Sequence, residues 1–243
     1  MGNIWKSIKT EHYIFNYKSE SLAEGEIQKI IDLQENCFKE ITDTLKIKLR
    51  SKINYWLCDS RKEVMNESKF EFETNGVTFC NPDNPTIYAV YNETTKCVGY
   101  HEDVHAIACQ YAFPSSIAII EGLAMHFDKV WWKVPNELCT YVYLIDGKYE
   151  SVEKMVLDND FFYEKPDSIS YPIMGAFTAF VIARYGSEKY MALYQEHEDW
   201  EQAFKDIYEL ELAEIEIKFI EWCKKKEYSK DCICDAREKL YNG

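Results

Sequence analysis

The spacing of apolar residues changes near Gly99, and this change constrains the fold more than any other feature of the sequence. Before Gly99, short runs rich in β-branched and aromatic residues predict strands. These runs are EHYIFNYK (11–18), KINYWLCD (52–59), NGVTFC (75–80) and TIYAVY (86–91). After Gly99 the apolar residues recur at helical spacing. The sequence therefore predicts an α+β fold, with a small N-terminal mixed sheet followed by a helical C-terminal lobe.

Five segments carry the helical pattern, and one of them falls before Gly99. That one is 21–45, with an apolar stripe made of Ile27, Ile30, Ile31, Leu33, Cys37, Phe38, Ile41 and Leu45. The later segments are 100–112, then 115–132 with Ser115 or Ser116 as N-cap, then 171–186 with Gly186 as C-cap, and finally 200–226. In the last segment we expect Trp200, Phe204, Ile207, Ile215, Phe219 and Trp222 to point inward.

Length and composition favour a single globular domain. The 243 residues contain 47% apolar and 15% aromatic residues, enough for a substantial core. We expect one domain, with sub-lobes at about 1–112 and 113–243. The formal net charge of −14 would repel phosphate backbones, which argues against nucleic-acid binding. No apolar run reaches the ~18 residues of a membrane span, and the N-terminal residues lack a secretory pattern. We therefore expect a cytoplasmic protein.

Nine cysteines are scattered along the chain, and many of them lie in apolar surroundings. This pattern suits reduced core thiols better than a disulfide framework. Cys232 and Cys234 form a C-x-C pair near the C-terminus. A structural zinc at this pair would need further ligands, and the sequence offers no second pair close by.

A possible metal site lies in the segment YHEDVHAIA, which contains His101, Glu102 and His105. Residues four apart on a helix are separated by only about 40° around its axis, so the two imidazoles would point the same way. Such a pair can share one zinc ion, and an adjacent glutamate can act as general base toward the attacking water. The alternative is that two ordinary helix histidines share this spacing by chance.

A catalytic zinc needs a third protein ligand, and the sequence limits which residue can be that ligand. A metzincin would have Gly at Ala108 and His at Tyr111, so that class is excluded. Glu121, which opens EGLAMHFD, is the candidate, because a carboxylate within an apolar helix is unfavourable unless a cation compensates it. Gly122 would let this helix approach its neighbour closely. The alternative for Glu121 is a surface residue at the end of the helix.

YHEDVHAIA followed by EGLAMHF resembles the gluzincin zinc metallopeptidases, in particular the small peptidase-MA-like domains related to the collagenase catalytic core. The resemblance extends over most of the chain. Weaker matches are IWKSIKTEHYIFNY, KINYWLCDS, NPTIYAVY, SYPIMGAFTAFVIARYGSEKYMALYQ and AFKDIYELELAEIEIKFIEW. The resemblance implies a zincin-like fold with an active-site cleft between the lobes. It implies that the protein is a metallopeptidase, more specifically an endopeptidase. It also implies one Zn²⁺ per chain on His101, His105 and Glu121, with Glu102 as general base.

The resemblance also implies a place for the substrate. The strand before the motif, around 87–91, would be an exposed sheet edge along which a peptide or protein substrate could lie by β-augmentation. Independently of the resemblance, Pro82 and Pro85 before that strand fit an edge position.

A second group that stabilises the oxyanion is expected, and it is usually Tyr or His in such enzymes. Tyr171 is the first candidate, because it begins the helix that faces the zinc in related enzymes; the alternative is a half-buried structural tyrosine. His126 is the second candidate, although it would lie roughly 140° around the helix from Glu121. Where some gluzincins carry Asp, this chain has Met125, so no acidic partner for the ligands is assigned. Asp103 is expected to face away from the metal; the alternative is a surface residue.

Two other functions remain open. The chain could be a binding module that keeps a peptidase fold without activity, although an intact Glu102 argues against this. It could also be a zinc hydrolase of a non-peptide substrate, which a closed cavity in place of an open strand edge would favour.

Overall fold

The computed structural model describes residues 4–242, and the side chains of residues 4–241. It confirms the predicted α+β class, with a small mixed sheet and a helical C-terminal region. Two compact units are distinguished by their internal contacts, Met1–Tyr111 and Ala112–Gly243. Within the described residues, no helix combines the length and the apolar character that crossing a membrane requires.

The first unit contains a five-stranded sheet and three helices. In chain order the elements are β1 (Trp5–Lys9), β2 (Tyr13–Lys18), α1 (Leu22–Leu45), β3 (Ile53–Cys58), α2 (Arg61–Ser68), β4 (Gly76–Phe79), β5 (Thr86–Val90) and α3 (Tyr100–Ala108). The strands are arranged in the order β1-β2-β3-β5-β4. β2, β3 and β5 run parallel to one another, whereas β1 and β4 are antiparallel to their neighbours. All four predicted strands are present, and β1 is an additional one.

The inner face of the sheet forms the core of this unit. Alternate residues of the parallel strands point to this face and are fully buried, among them Tyr13, Phe15, Tyr55 and Ile87. The rings of Tyr13 and Phe15 stack at 5.1 Å between centroids, and Phe15 lies 5.6 Å from Tyr55. α1 and α3 pack on this face, and α2 packs on the opposite face, where its Val64 joins a small apolar cluster.

α1 begins and faces the core largely as its sequence predicts. The Ser21 hydroxyl accepts a hydrogen bond from the Glu24 backbone N–H at 3.2 Å, which is a typical N-cap. The predicted apolar stripe is largely buried, but the prediction for Leu33 is wrong, since 42% of its side chain is exposed. The neighbouring Gln34 is buried instead.

The exposed sheet edge differs from the prediction. β5 was expected at the edge, yet it lies between β3 and β4. The reason is that β4 folds back antiparallel onto β5, with Gly76 opposite Ala89 and Thr78 opposite Ile87. Among the described strands β4 pairs with β5 alone, so β4 is the edge strand on this side of the sheet.

The second unit is mostly helical. Its elements are α4 (Ile117–Asp128), β6 (Val130–Trp131), β7 (Val134–Pro135), α5 (Asn136–Ile145), α6 (Val152–Leu157), α7 (Asn159–Glu164), α8 (Asp167–Tyr185), α9 (Ser187–Leu193), α10 (Trp200–Tyr208), α11 (Leu212–Lys224) and α12 (Lys230–Asn242). α8 contains the predicted helix and ends with Gly186 as its C-cap, as predicted, but it begins at Asp167, four residues before Tyr171, the residue expected to start it. In the first unit, the helix predicted over 100–112 ends earlier, at Ala108. In the second unit, two other predicted helices have different bounds.

Both differences arise where backbone with positive φ ends a helix. The helix predicted over 115–132 stops at Asp128, because Lys129 adopts a left-handed conformation and the following residues form the β6–β7 hairpin. The stretch predicted as one helix over 200–226 divides at Glu209, which has φ 59°. A capping box between Glu211 and Glu214 then starts α11.

Helices α4 and α8 pack closely through two glycines. A Cβ atom at Gly122 would lie 2.7 Å from the Thr178 hydroxyl and 3.1 Å from the Met174 carbonyl oxygen. A Cβ at Gly175 of α8 would lie 2.7 Å from Cβ of Met125 on α4. The prediction that Gly122 allows close approach to a neighbouring helix is therefore confirmed.

A buried carboxylate links α11 to the start of α6. Glu216 is only 7% exposed, and its two carboxylate oxygens accept four hydrogen bonds of 2.8–3.0 Å. The donors are the Tyr149 and Ser151 hydroxyls and the Val152 and Glu153 backbone N–H groups. These donors compensate the burial of the carboxylate, and they would be left without an acceptor if it were removed.

Replacing Glu216 by alanine is expected to destabilise the protein by about 3 kcal/mol, because it leaves buried donors without an acceptor. The thermal midpoint should fall by roughly 6–12 °C for a chain of this size. Glu221→Ala, at an exposed position of α11, is the matched control and should change the midpoint little. Equal midpoints for the two variants in differential scanning calorimetry would show that Glu216 does not have this role.

Candidate metal centre

The two motif histidines lie on α3, which begins directly after Gly99. Gly99 has φ 131°, a conformation that glycine adopts readily, and it precedes the first turn of the helix. The Gln34 side chain forms hydrogen bonds with both backbone polar groups of Gly99. Its Oε1 accepts from the Gly99 N–H at 2.8 Å, and its Nε2 donates to the Gly99 carbonyl at 3.0 Å. A buried amide on α1 therefore fixes where the motif helix begins.

His101 and His105 are one turn apart and both are partly exposed. Their ring centroids lie 4.9 Å apart, with the ring planes at 85°. The predicted geometry, in which both imidazoles point the same way, is therefore present in the structure. Cys80 lies beside the end of this turn, where its Sγ is 3.7 Å from the His105 backbone carbonyl oxygen.

Asp103 is fully buried, which excludes the alternative that it is a surface residue. The Tyr13 hydroxyl donates to Asp103 Oδ2 and also lies 3.1 Å from the Gln34 carbonyl oxygen. Burial raises the pKa of Asp103 well above its usual value. Asp103 shares the buried face of α3 with Val104 and Ile107. This shared face is the signal in the sequence that could have indicated its burial.

Glu102 lies beside the edge strand β4. The Thr78 hydroxyl donates a hydrogen bond of 2.6 Å to Glu102 Oε2. Gly76, on the same face of β4, leaves room for the Glu102 carboxylate. Neither Thr78 nor Gly76 was predicted to have a role, because nothing in the local pattern of NGVTFC indicates contact with α3.

Glu121 lies inside α4 and not at its start, and it is partly exposed. His101, His105 and Glu121 form a group that could hold a metal ion. Each of the three offers one ligand atom, and these atoms all lie within 4.8 Å of one another. Two imidazoles and one carboxylate are a donor set that suits zinc and leaves a coordination position open, so the residues present fit the predicted ion.

The other residues considered as site residues do not belong to this group. Tyr171, in the first turns of α8, is partly buried, and its ring lies 5.7 Å from that of Trp131 and 5.7 Å from that of Phe162. Its catalytic role stays a prediction. His126 lines a cavity of about 370 Å³, together with Gly175 and other residues of the second unit.

Cys232 and Cys234 are exposed on α12. Within residues 4–242, neither takes part in a group of three or more residues that could hold a metal. Two residues apart on a helix, their side chains diverge by roughly 160° around the axis, which does not favour binding of a shared ion.

No protein-family model matches this chain, and no curated protein matches its sequence. Its function is therefore inferred from its own residues and their geometry.

Proposed function

We propose that this protein is a zinc-dependent metallopeptidase of the gluzincin type, with His101, His105 and Glu121 as the metal ligands. The observation that supports this most strongly is the group formed by these three residues, with ligand atoms within 4.8 Å of one another. A helix that bears a glutamate between two histidines four residues apart is an arrangement that zinc metalloproteases use for metal-assisted hydrolysis.

A zinc ion held there would supply Lewis-acid chemistry, acidifying water and polarising a carbonyl group. Glu102 is the proposed general base, which takes a proton from the attacking water and can later pass it to the leaving amine. Its neighbour Thr78 donates to one carboxylate oxygen, Oε2. Tyr171 is proposed to donate a hydrogen bond to the oxyanion that forms at the substrate carbonyl.

The edge strand β4 supports a peptide or protein as the substrate. β4 pairs with β5 on one side, and Glu102 contacts it through Thr78. An extended peptide that adds to the free side of β4 would form backbone hydrogen bonds there, close to the general base. This place for the substrate replaces the one expected on β5. Cleavage within a chain, as an endopeptidase, agrees with such binding because the extended peptide can continue in both directions along the strand.

Metal removal tests this proposal. We expect the protein to cleave members of a quenched-fluorescent peptide library, to lose this activity with 1,10-phenanthroline, and to recover it on addition of Zn²⁺. Added Ca²⁺, which prefers oxygen ligands, should not restore cleavage. Zinc-loaded protein that binds library peptides without cleaving them would favour the binding module. Cleavage that is unaffected by the chelator would contradict the proposal.

A further inference from the structure

Thr78 on the edge strand β4 makes a short contact with Glu102. Its hydroxyl lies 2.6 Å from Glu102 Oε2 and 3.3 Å from the Glu102 carbonyl oxygen. A hydroxyl has one proton to donate, and a charged carboxylate at the shorter distance is the stronger acceptor. The Thr78 proton is therefore directed at the carboxylate of Glu102.

Gly76 provides the space on the other side of the same carboxylate. A Cβ atom at this position would lie 3.0 Å from Cδ and 3.2 Å from Cγ of Glu102, and closer still to Oε1. Any residue larger than glycine would therefore push the carboxylate away. The two positions lie on one face of β4, because side chains two residues apart in a strand point the same way.

We infer that Thr78 is a positioning residue for the general base Glu102, and that Gly76 is the small residue that leaves room for the positioned carboxylate. A glutamate side chain has three rotatable bonds, so without a partner its carboxylate occupies the productive position only part of the time. The Thr78 hydroxyl holds one oxygen, Oε2, and leaves Oε1 to accept a proton. The catalytic part of this inference rests on the proposed function.

The strand that would hold the substrate is thus the strand that orients the base. A peptide added to β4 would be in register with residues 76–79, and Glu102 is aligned against the same residues. One strand would then determine the positions of both the scissile carbonyl and the general base, which limits misplacement of either.

Kinetics of three single variants test the positioning role. Thr78→Val keeps the shape but removes the hydroxyl, and it should lower kcat on a cleaved library peptide about 10–100-fold while KM changes less than about 2-fold. Thr78→Ser keeps the hydroxyl and should recover most of this loss. Thr86→Val, on the opposite face of the sheet, is the matched control and should leave kcat close to the wild-type value. An unchanged kcat in Thr78→Val would overturn the inference.

Gly76→Ala tests the second half of the inference without removing the hydroxyl. The added methyl group should displace the Glu102 carboxylate and lower kcat about 10-fold or more, with zinc content unchanged. The flexible end of Glu102 can move away and would lose only its contact with Thr78, so we expect the thermal midpoint to fall by no more than about 6 °C. Full activity in Gly76→Ala would show that the carboxylate is not held where the structure has it.

A measurement without substrate separates this inference from the proposed function. The thermal midpoints of wild type, Thr78→Val, Glu102→Ala and the double variant form a double-mutant cycle. Thr78→Val should shift the midpoint by about 2–6 °C more in the wild type than in the Glu102→Ala background. Equal shifts would overturn the inference whether or not the protein cleaves peptides. Unequal shifts in a protein that cleaves nothing would support the contact and contradict the peptidase proposal.

Discussion

Replacing Glu102 by glutamine is expected to lower kcat for peptide hydrolysis by about 10²–10⁴-fold. Glutamine has the shape of glutamate, and its side-chain oxygen can still accept the hydrogen bond from Thr78. It cannot take a proton from the attacking water, so the variant loses the proposed base and keeps the local structure. KM and zinc content should change little, because Glu102 is not among the proposed ligands.

The matched control for this experiment is Glu67→Gln, an identical change of charge at an exposed position of α2 in the same unit. Both variants should bind equal amounts of zinc, and Glu67→Gln should keep wild-type kcat. If Glu102→Gln also keeps wild-type kcat, another residue is the base or the reaction follows a different mechanism. If Glu102→Gln loses its zinc, the assignment of Glu102 as a residue outside the metal ligands is wrong.

Replacing Glu121 by alanine is expected to weaken zinc binding by about 100-fold or more. The change leaves two imidazoles, and a stable catalytic zinc site has three protein ligands. Affinity can be measured by competition with a chromophoric chelator. Because zinc binds the folded state, the midpoint increase that zinc produces should also be smaller in the variant.

Glu188→Ala, at an exposed position of α9, removes a carboxylate of the same kind elsewhere in the second unit and should keep wild-type zinc affinity. Affinity in Glu121→Ala equal to that of the control would exclude Glu121 as a ligand. The zinc would then be held by His101 and His105 with a different third group.

The features that local sequence predicts best are those with local physical causes. Ser21 caps α1 through a hydrogen bond three residues along the chain, and Gly186 ends α8. The spacing of His101 and His105 on one helix likewise follows from helix geometry alone. The four predicted strands before Gly99 are recognisable because half-buried or buried strands enrich β-branched and aromatic residues.

Features that depend on distant pairing were not predictable in this way. β1 has mostly exposed residues and therefore no apolar alternation, so it can be recognised only from its pairing with β2. β4, and not β5, is the edge strand because β4 folds back onto β5. No residue of TIYAVY indicates that another strand pairs with β5 on this side. The hydrogen bond that Asp103 accepts from Tyr13, ninety residues earlier in the chain, is likewise a distant contact.

The ends of two helices also could not be predicted from the types of the local residues. The β6–β7 hairpin turns through Trp132 and Lys133, both with positive φ, although such turns usually contain Asn or Gly. The apolar run that contains Trp131 and Trp132 therefore resembled the end of a helix. Similarly, Glu209 adopts φ 59° without being glycine or asparagine, so its residue type did not indicate the break between α10 and α11.

Elemental analysis of the wild-type protein tests most directly whether His101, His105 and Glu121 hold a zinc ion. Protein purified without chelators should contain about one zinc per chain, and the triple variant with alanine at these three positions should contain none. Absence of zinc from the wild type, even after incubation with Zn²⁺ and removal of the excess, would contradict this assignment. The histidine pair would then be two ordinary residues on the face of α3.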